Sequence, residues 1–570
     1  MVQNATAGYP AVGAREILLG QLRGVVENYA LGLILPLVLA SIVIAAFSSR
    51  QGKSRQPPSL IDPIPFVFNT LQFVLRNETF MNRAKKALKA TNLAKFYLGT
   101  KPVYLVSGPK NVQTIFGRSQ NINNEGIMLS INLPTWYRFS KRDLQRFAED
   151  KSGRGRNPLP GSENVPQEQR YFFGYEHVHS AFLAKAHHLN PLVEHYHDQF
   201  AQLLDEYPAG EWKTLSVKDF SKREVTSCAV DTLIGPKALE LNSDFCDLLA
   251  DFDHAAFSLA MKIPKWLYPS PYKAHEKYLT AVQKYLDCAW AEFDWNDKAA
   301  TEAPWEPHFG AQVSREIVKW FKDCGFNGKD TGAGALGILV WAGTSNVIPI
   351  MTWMIMELAK DPSLFQALRE EVNTAQVIDP QTGSRTLDIH KVVLLPLLTS
   401  AYTEALRLSM SFNVVRNVTE SLTIDGYTLE KGALVQVPTL AAHYDEDVWG
   451  FPGHPASEFW AERHIKYAEE KDEAGNVRRK RTFAMAGRTG ADYFPYGGGN
   501  LICPGRHFAK QQIMLTVALL VFKMDVEFVQ WTKLDGSPSD RPARNQRHFC
   551  GTGSAPPDRD MKIRIRPTVS

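Results

Sequence analysis

One stretch near the end of the 570-residue chain restricts the possible folds more than any other. Residues 493–509 read Tyr-Phe-Pro-Tyr-Gly-Gly-Gly-Asn-Leu-Ile-Cys-Pro-Gly-Arg-His-Phe-Ala. Pro504 cannot donate a backbone hydrogen bond but suits the first turn of a helix, which we predict over Arg506–Lys523. The N–H groups of a tight loop and of a helix N-terminus favour a thiolate anion. The sequence therefore predicts an activated thiol at Cys503.

The glycines before this thiol, residues 497–499, allow the backbone to approach a flat ligand closely. We therefore interpret Cys503 as the thiolate ligand of a haem iron. The alternative is a buried structural cysteine, since Cys503 is one of six cysteines. These six form no CxxC pair, which argues against a zinc site or a disulfide framework and fits a reducing compartment.

The segment resembles the haem-binding loop of the cytochrome P450 enzymes, usually Phe-Gly-x-Gly-x-Arg-x-Cys-x-Gly. Leu501 stands where that loop has an arginine that binds a haem propionate. The resemblance implies heme b with an axial thiolate, and a single large domain that is mainly α with a smaller β-rich side. The cofactor-binding residues that it implies in this loop are Tyr496, Gly497, Gly499, Cys503 and Gly505.

Because Leu501 cannot bind a propionate, another residue must supply that anchor. Val414-Val415-Arg416-Asn417-Val418 reads as a strand, and Arg416 matches a position that often binds a propionate in the family. A guanidinium pairs well with a carboxylate, so Arg416 is the predicted anchor. The alternative is an ordinary arginine at the end of a strand.

A long apolar helical stretch contains the second informative motif, Val340-Trp341-Ala342-Gly343-Thr344-Ser345-Asn346-Val347-Ile348-Pro349. It resembles the oxygen-side helix of the P450 family, whose Ala/Gly-Gly-x-acid-Thr motif forms a groove for dioxygen. Ser345 replaces the acid and Asn346 replaces the threonine. The candidate catalytic residues are Asn346, Thr344 and Gly343. Alternatively, the polar side chains merely satisfy backbone groups at a kink.

This pattern is similar to that of the sterol 7α- and 12α-hydroxylases and prostacyclin synthase, a clade with both oxygen-inserting enzymes and an isomerase. The leading hypothesis is a haem-thiolate monooxygenase that oxidises a lipophilic steroid, terpenoid or other secondary metabolite with O2. The second hypothesis is an isomerase or dehydratase that needs no reductase. The third, a haem-binding sensor or carrier, depends only on the missing acid–threonine pair.

Glu404 and Arg407, three residues apart in an apolar-periodic stretch, resemble the Glu-x-x-Arg pair of the family. In the family this pair is buried with a second arginine, and Arg463 is the matching candidate here. We predict that the three residues form a scaffold network with no catalytic role.

The segment Gly332-Ala333-Gly334-Ala335-Leu336-Gly337 satisfies the pattern GxGxxG, but no strand precedes it and a helical stretch follows. A dinucleotide site requires the strand, so we reject that interpretation. Since no flavin or nicotinamide site is apparent, electrons would come from a separate NADPH-cytochrome P450 reductase. The net charge of +4 is too small to indicate nucleic-acid binding.

An uncharged apolar run over residues 30–47 is just long enough to span a bilayer, and basic residues follow it. We predict a short luminal segment (1–29), a transmembrane anchor (30–47), a basic, proline-rich hinge (48–66) and a haem-thiolate catalytic domain (67–570). This organisation places the enzyme in the endoplasmic reticulum membrane, single-pass, with its catalytic domain facing the cytoplasm. A cleaved signal peptide and a buried helix are the alternatives.

Overall fold

The computed structural model describes residues 55–118, 121–326, 330–378, 380–381, 383, 385–471 and 477–568. The predicted luminal segment, the anchor and residues 48–54 of the hinge lie outside these ranges. Among the described residues, one helical stretch, Thr331–Lys360, is long and apolar enough to cross a membrane, and most of it is buried inside the domain.

Most of the described chain is helical, because long stretches repeat apolar residues with the period of an α-helix. The helices of eight residues or more are α1 Phe68–Leu75, α2 Asn77–Thr91, α3 Pro109–Gly117, α4 Lys141–Glu149, α5 Tyr171–Ala184, α6 Ala186–Asp205, α7 Thr226–Ile234, α8 Phe245–Ala260, α9 Ser270–Glu292, α10 Gln312–Asp323, α11 Asp330–Thr344, α12 Val347–Lys360, α13 Pro362–Asn373, α14 Pro396–Ser409 and α15 Arg506–Lys523. Two π-helical segments cover Met128–Trp136 and Ser221–Val225. The predicted bounds of α15 are confirmed.

The strands are short and form six separate sheets among the described residues. They are β1 Leu93–Leu98, β2 Lys101–Val106, β3 Ile122–Asn123, β4 Lys213–Ser216, β5 Trp305–Glu306, β6 Gly310–Ala311, β7 Gln376–Ile378, β8 Arg385–Leu387, β9 Met410–Val418, β10 Leu422–Ile424, β11 Tyr427–Leu429, β12 Leu434–Pro438, β13 Ile465–Lys471, β14 Val477–Phe483, β15 Met524–Thr532, β16 Thr552–Ser554 and β17 Asp560–Pro567. The architecture is therefore mainly α with a smaller β-rich side, as predicted.

The largest sheet has six strands, in the order β1-β2-β12-β9-β16, with β3 paired to β9. β1 and β2 form an antiparallel hairpin, and β12 runs parallel to β2 and antiparallel to β9. A second sheet has the order β15-β17-β4. The strand β16 pairs with β9 and also contacts the start of α12, where Ser554 N–H donates to Asn346 Oδ1. The first sheet therefore holds the C-terminal loop beside the central helices.

The central helices α11 and α12 form one long element that is interrupted at Ser345 and Asn346. Pro349 lacks the N–H that would bond to the Ser345 carbonyl, so the helical ladder opens at this point. The hydroxyl of Ser554, in β16, donates to the carbonyls of Ser345 (3.3 Å) and Asn346 (3.0 Å). The opening is therefore stabilised by a neighbouring strand.

The GxGxxG segment lies inside α11 and does not form a strand-to-helix turn. A Cβ at Gly334 would overlap the backbone carbonyl of Tyr137. This glycine is required by close helix packing, which agrees with rejecting a dinucleotide site.

Candidate haem site

The loop before Cys503 is held by its own backbone. Gly497 N–H donates to the Phe494 carbonyl (3.0 Å), and Cys503 N–H donates to the Tyr496 carbonyl (3.1 Å). Gly499 has a φ of +67°, and a Cβ there would overlap the Phe116 carbonyl. Glycine is therefore needed at this position both for the left-handed backbone and for the close approach of α3.

Cys503 is exposed by its accessible surface, yet burial raises the pKa of its thiol. These two facts agree if the sulfur faces an interior space that is enclosed by protein. The backbone N–H groups of Gly505 and Arg506 and the charge of Arg506 act in the opposite direction and favour the thiolate. The arrangement is that expected for a thiol that becomes an anionic ligand when a metal occupies the space.

Tyr496, which replaces the usual phenylalanine of the loop, makes a specific contact. Its hydroxyl lies 2.6 Å from the hydroxyl of Tyr402 in α14. Burial raises the pKa of both phenols, so both stay protonated and neutral. The exchange therefore adds a hydrogen bond between the Cys503 loop and the helix that contains Glu404.

One face of the central helices is accessible although the other faces are packed. Trp341, Gly343, Ser345 and Asn346 are half-buried, and Ala342 is exposed, whereas Leu336 and Val340 have no accessible surface. Most of the accessible positions recur at the spacing of one helix face. We infer that this face, like the Cys503 sulfur, borders an interior space, because both are accessible although α11 and α12 pack against several other helices.

Asn346 lies on this face, and its side chain is partly occupied. Its Oδ1 accepts a hydrogen bond from Ser554 N–H (2.9 Å). The amide NH2 group has no recorded partner among the described residues, so it remains a donor. This geometry orients the Asn346 amide through β16, a contact that the sequence did not predict.

Thr344 and Gly343 occupy different environments from Asn346. The Thr344 hydroxyl is buried and donates to the carbonyl of Val340 (2.8 Å) and approaches that of Trp341 (3.3 Å). A Cβ at Gly343 would come within 2.7 Å of a Leu233 methyl group in α7. The Thr344 hydroxyl therefore bonds to the backbone of its own helix, and close packing against α7 explains why position 343 is a glycine. The catalytic roles of both residues stay predictions.

A group of charged side chains that we call the arginine pair cluster consists of Arg154, Arg416, Glu176 and Glu125. Arg154 bonds to Glu176 at 3.0 Å and lies 3.9 Å from Glu125, and its buried Nε has no hydrogen-bond partner. The one recorded hydrogen bond of Arg416 goes to the adjacent Val415 carbonyl (2.9 Å). Burial, with the nearby charge of Arg154, lowers the pKa of Arg416 to about 10.

Sequence reasoning identified Arg416 in this cluster but missed Arg154. Arg154 lies in the polar loop over residues 151–169, which has little regular structure. Its only signal in the sequence is a basic Arg-Gly-Arg segment in a loop rich in glycine and proline. No periodicity links that loop to β9, so the pairing of the two arginines depends on the tertiary fold.

Glu404, Arg407 and Arg463 form a compact network, as the sequence predicted for their positions. Arg407 binds both carboxylate oxygens of Glu404 (2.8 Å each), and Arg463 Nε binds Oε1 (2.7 Å). All three side chains have no exposed surface. Burial alone would raise the pKa of Glu404, but the hydrogen bonds and charges of its partners lower it to about 2.

The remaining donors of the two arginines are used by backbone carbonyls. Arg407 Nη1 donates to the His443 carbonyl (2.5 Å), and Arg463 donates to the carbonyls of Trp449, Pro455 (3.0 Å) and Glu458 (2.9 Å). Because this network is nearly saturated, it leaves little capacity for a ligand.

These observations fit a haem group. The Cys503 thiol and one face of the central helices are accessible, and the arginine pair cluster includes a buried Nε without a hydrogen-bond partner. A haem requires a thiolate for its iron, small residues for its faces and cations for its carboxylates. The residues that are present supply all three.

Comparisons with known proteins agree with this site. The sequence profile of the family described as Cytochrome P450 matches residues 168–539. The chain is 39% identical to "Cytochrome P450 monooxygenase calL" of Penicillium decumbens over 90% of this chain and 93% of that protein. It is 26% identical to "Cytochrome P450 7A1" of Rattus norvegicus, over 64% of this chain and 68% of the relative.

A solved structure gives the same fold. The chain is similar to "Retinoic acid bound cyanobacterial CYP120A1" with a TM-score of 0.61 and 15% identity, over 91% of this chain and all of that one. The chain belongs to the cytochrome P450 family and is a haem monooxygenase, and the cofactor is haem with a cysteine thiolate on the iron. The similarity to a rat 7A1 enzyme agrees with the predicted resemblance to the sterol 7α-hydroxylase clade.

Proposed function

We propose that this chain is a membrane-anchored monooxygenase that hydroxylates, or otherwise oxidises, a lipophilic secondary metabolite of the steroid or terpenoid kind. The observation that supports this most is the position of Cys503, just before the N-terminus of α15, where two backbone N–H groups favour its anion. Bound haem supplies O2 activation and one-electron chemistry, and the protein supplies binding, orientation and electrostatics.

The residues that would hold the haem are Cys503 at the iron and the arginine pair cluster at the propionates. Arg416 provides one guanidinium, and Arg154 provides a second whose Nε has no hydrogen-bond partner. Together they replace the arginine that the family has at position 501. Glycines 497, 499 and 505 and Tyr496 shape the loop around the thiolate.

Asn346, on the accessible face of the central helices, would orient a water molecule or an oxygen atom of the substrate. The Ser554 N–H holds Oδ1 of Asn346, so the NH2 group is directed as a donor. An amide does not exchange protons at neutral pH, so protons must reach the site through water that the amide positions. Thr344 and Gly343 stay in the proposal as residues that shape the helix beside Asn346.

Rearrangement without reductase is the second candidate, and one observation favours it. Ser345 stands where the family has an acid, so this helix has no carboxyl group at the usual point of proton delivery. A reaction that consumes no external electrons would not need such a group.

A turnover experiment separates the two candidates. The full-length protein is incubated with an extract of lipophilic metabolites, with and without NADPH and NADPH-cytochrome P450 reductase, under ¹⁸O-labelled O2. We expect products that contain one ¹⁸O atom, formed only when both NADPH and reductase are present. Product formation without either component, and without label, would favour the isomerase or dehydratase.

The anchor is a separate part of the proposal, because residues 30–47 lie outside the described ranges. A variant that begins at residue 55 should leave the membrane fraction, whereas the full chain should stay in it after washing with carbonate. The topology has its own readout in the Asn4-Ala5-Thr6 sequon, which is glycosylated only if the N-terminus is luminal.

A further inference from the structure

The interior face of α11 has a neighbour that the monooxygenase reaction does not use. Asp253 lies in α8, and its Oδ1 accepts a hydrogen bond from the Trp341 indole N–H at 2.7 Å. In the described part of the chain, no other hydrogen bond or ion pair of Asp253 is recorded. One carboxylate oxygen therefore has no partner, and the side chain is only half-buried.

Aromatic rings fix this carboxyl group in place. The Trp341 ring packs edge-on against Trp136 (5.2 Å between centroids) and Phe252 (5.4 Å). The Trp136 indole N–H donates to the Ala256 carbonyl in α8 (3.0 Å). Three aromatic side chains thus hold α8 over α11 and restrict the rotation of Asp253. A carboxyl group in these apolar surroundings is costly unless it has a partner.

The surroundings of Asp253 also point to the haem side of the molecule. Trp341 directly precedes Ala342, the exposed residue on the helix face that borders the interior space. Burial raises the pKa of Asp253 to about 7, and the Trp341 hydrogen bond opposes that shift. The low polarity that causes the shift is that of a cavity suited to a lipophilic molecule.

We propose that the free oxygen of Asp253 binds a hydroxyl group of the substrate, and that Trp341 positions the carboxyl group for this contact. The substrate would then be a lipophilic molecule with a hydrogen-bond donor at some distance from the carbon that is oxidised. The inference rests on the proposed function, because it assumes that the haem occupies the space beside α11.

The test uses ligands that anchor themselves to the iron, so it does not require the natural substrate. N-alkylimidazoles coordinate the haem iron through their ring nitrogen and shift its absorbance. A series from butyl to dodecyl is prepared with three ends: hydroxyl, methoxy and methyl. Dissociation constants are measured by absorbance on the wild-type holoenzyme, on Asp253→Asn and on the control Asp251→Asn, which changes an exposed residue of the same helix. The measurements are made at about pH 9, because the Asp253 carboxyl, with a pKa of about 7, is then ionised and can only accept a hydrogen bond.

We expect the wild type to bind one chain length of the hydroxyl series roughly tenfold more tightly than the methoxy probe of the same length. In Asp253→Asn, the Trp341 N–H keeps an oxygen acceptor and the free oxygen becomes an NH2 donor. Hydroxyl and methoxy ends can both accept from that donor, so the preference should disappear. Asp251→Asn should retain it.

Equal affinities of the hydroxyl and methoxy probes at every length in the wild type would overturn the proposal, as would a preference that persists in Asp253→Asn. The wild-type comparison gives this answer even if the variant does not fold. Failure of the proposed function looks different, since no imidazole probe would then shift the absorbance of the wild type.

Discussion

Two clusters of charged side chains in this protein use the same residue types, but one is fully buried and the other is half-buried, and they differ in how completely their hydrogen bonds are satisfied. In the Glu404 network, one carboxylate is bound by two arginines, and the remaining donors reach backbone carbonyls. In the arginine pair cluster, Arg416 has one hydrogen bond, to the carbonyl of its own neighbour, and Arg154 has a buried Nε that lies 3.9 Å from Glu125 and has no hydrogen-bond partner.

The difference separates a scaffold from a binding site. A buried ion network that is fully paired stabilises one conformation, and removing one member leaves uncompensated charge. A buried cation with spare donors has an energetic cost that a ligand can offset. We therefore propose that Glu404 stabilises the fold and that Arg154 and Arg416 would bind the haem carboxylates.

The largest expected effect is that of Glu404→Gln. This change leaves Arg407 and Arg463 buried without their anion, which should lower the free energy of unfolding by about 3–5 kcal/mol. The free energy of unfolding is measured by urea denaturation of the holoenzyme, and the fraction of protein that retains haem is monitored at each urea concentration. The matched control is Glu470→Gln, which removes an exposed partner of Lys480 and should leave the midpoint unchanged. Equal stability of the two variants would contradict the scaffold assignment.

The same network predicts the response to acid. Because the pKa of Glu404 is about 2 in the folded protein, against 4.5 ordinarily, its contribution is present above pH 4.5 and is lost as the pH falls towards 2. Its loss should cost on the order of 3 kcal/mol. The stability difference between wild type and Glu404→Gln, measured by denaturation at several pH values, should therefore shrink below pH 4.5. A difference that stays constant would show that Glu404 is not charged in the fold.

The arginine pair cluster should affect the cofactor more than the fold. Arg416→Gln and Arg154→Gln each remove a charge-assisted hydrogen bond, so haem release should become about 10- to 100-fold faster. The rate is measured by transfer of haem to apomyoglobin, and urea denaturation of the apoprotein is the control for folding. Wild-type release rates in both variants would mean that the propionates bind elsewhere.

The smallest expected effect comes from restoring the residue that the family has at position 501. Leu501→Arg adds a third cation and should slow haem release a few-fold in the wild type. In the Arg416→Gln variant, the added Leu501→Arg change should slow haem release by a larger factor than it does in the wild type. If Leu501→Arg has no effect in either background, position 501 does not face a propionate in this chain.

Sequence patterns predicted much of this molecule because several signals are local. The bounds of α15 follow from Pro504 and the apolar periodicity after it. The helical nature of the GxGxxG segment was also predictable, since no strand precedes it. Cys503, Glu404 and Arg416 were selected because each lies in a short motif that resembles one of the family, and such motifs are also local signals.

Other features depend on tertiary contacts that have no local signature. Arg154 lies near Arg416 in the fold although more than two hundred residues separate them in the sequence. Likewise, Ser554 N–H, in the C-terminal loop, donates to Asn346. Asp253 is one of several acidic residues in α8, and only the fold pairs it with Trp341. The sequence could name the residue types that the site needs, but not which distant elements would supply them.

The most direct test of the account is the absorbance of the reduced protein with carbon monoxide, compared between wild type and Cys503→Ala. If Cys503 is the thiolate ligand, the wild type will give the red-shifted Soret band that a thiolate-bound haem produces. Cys503→Ala will lack that band while its far-ultraviolet circular dichroism stays unchanged. A wild type without the thiolate band, or a Cys503→Ala variant that retains it, would contradict the central claim.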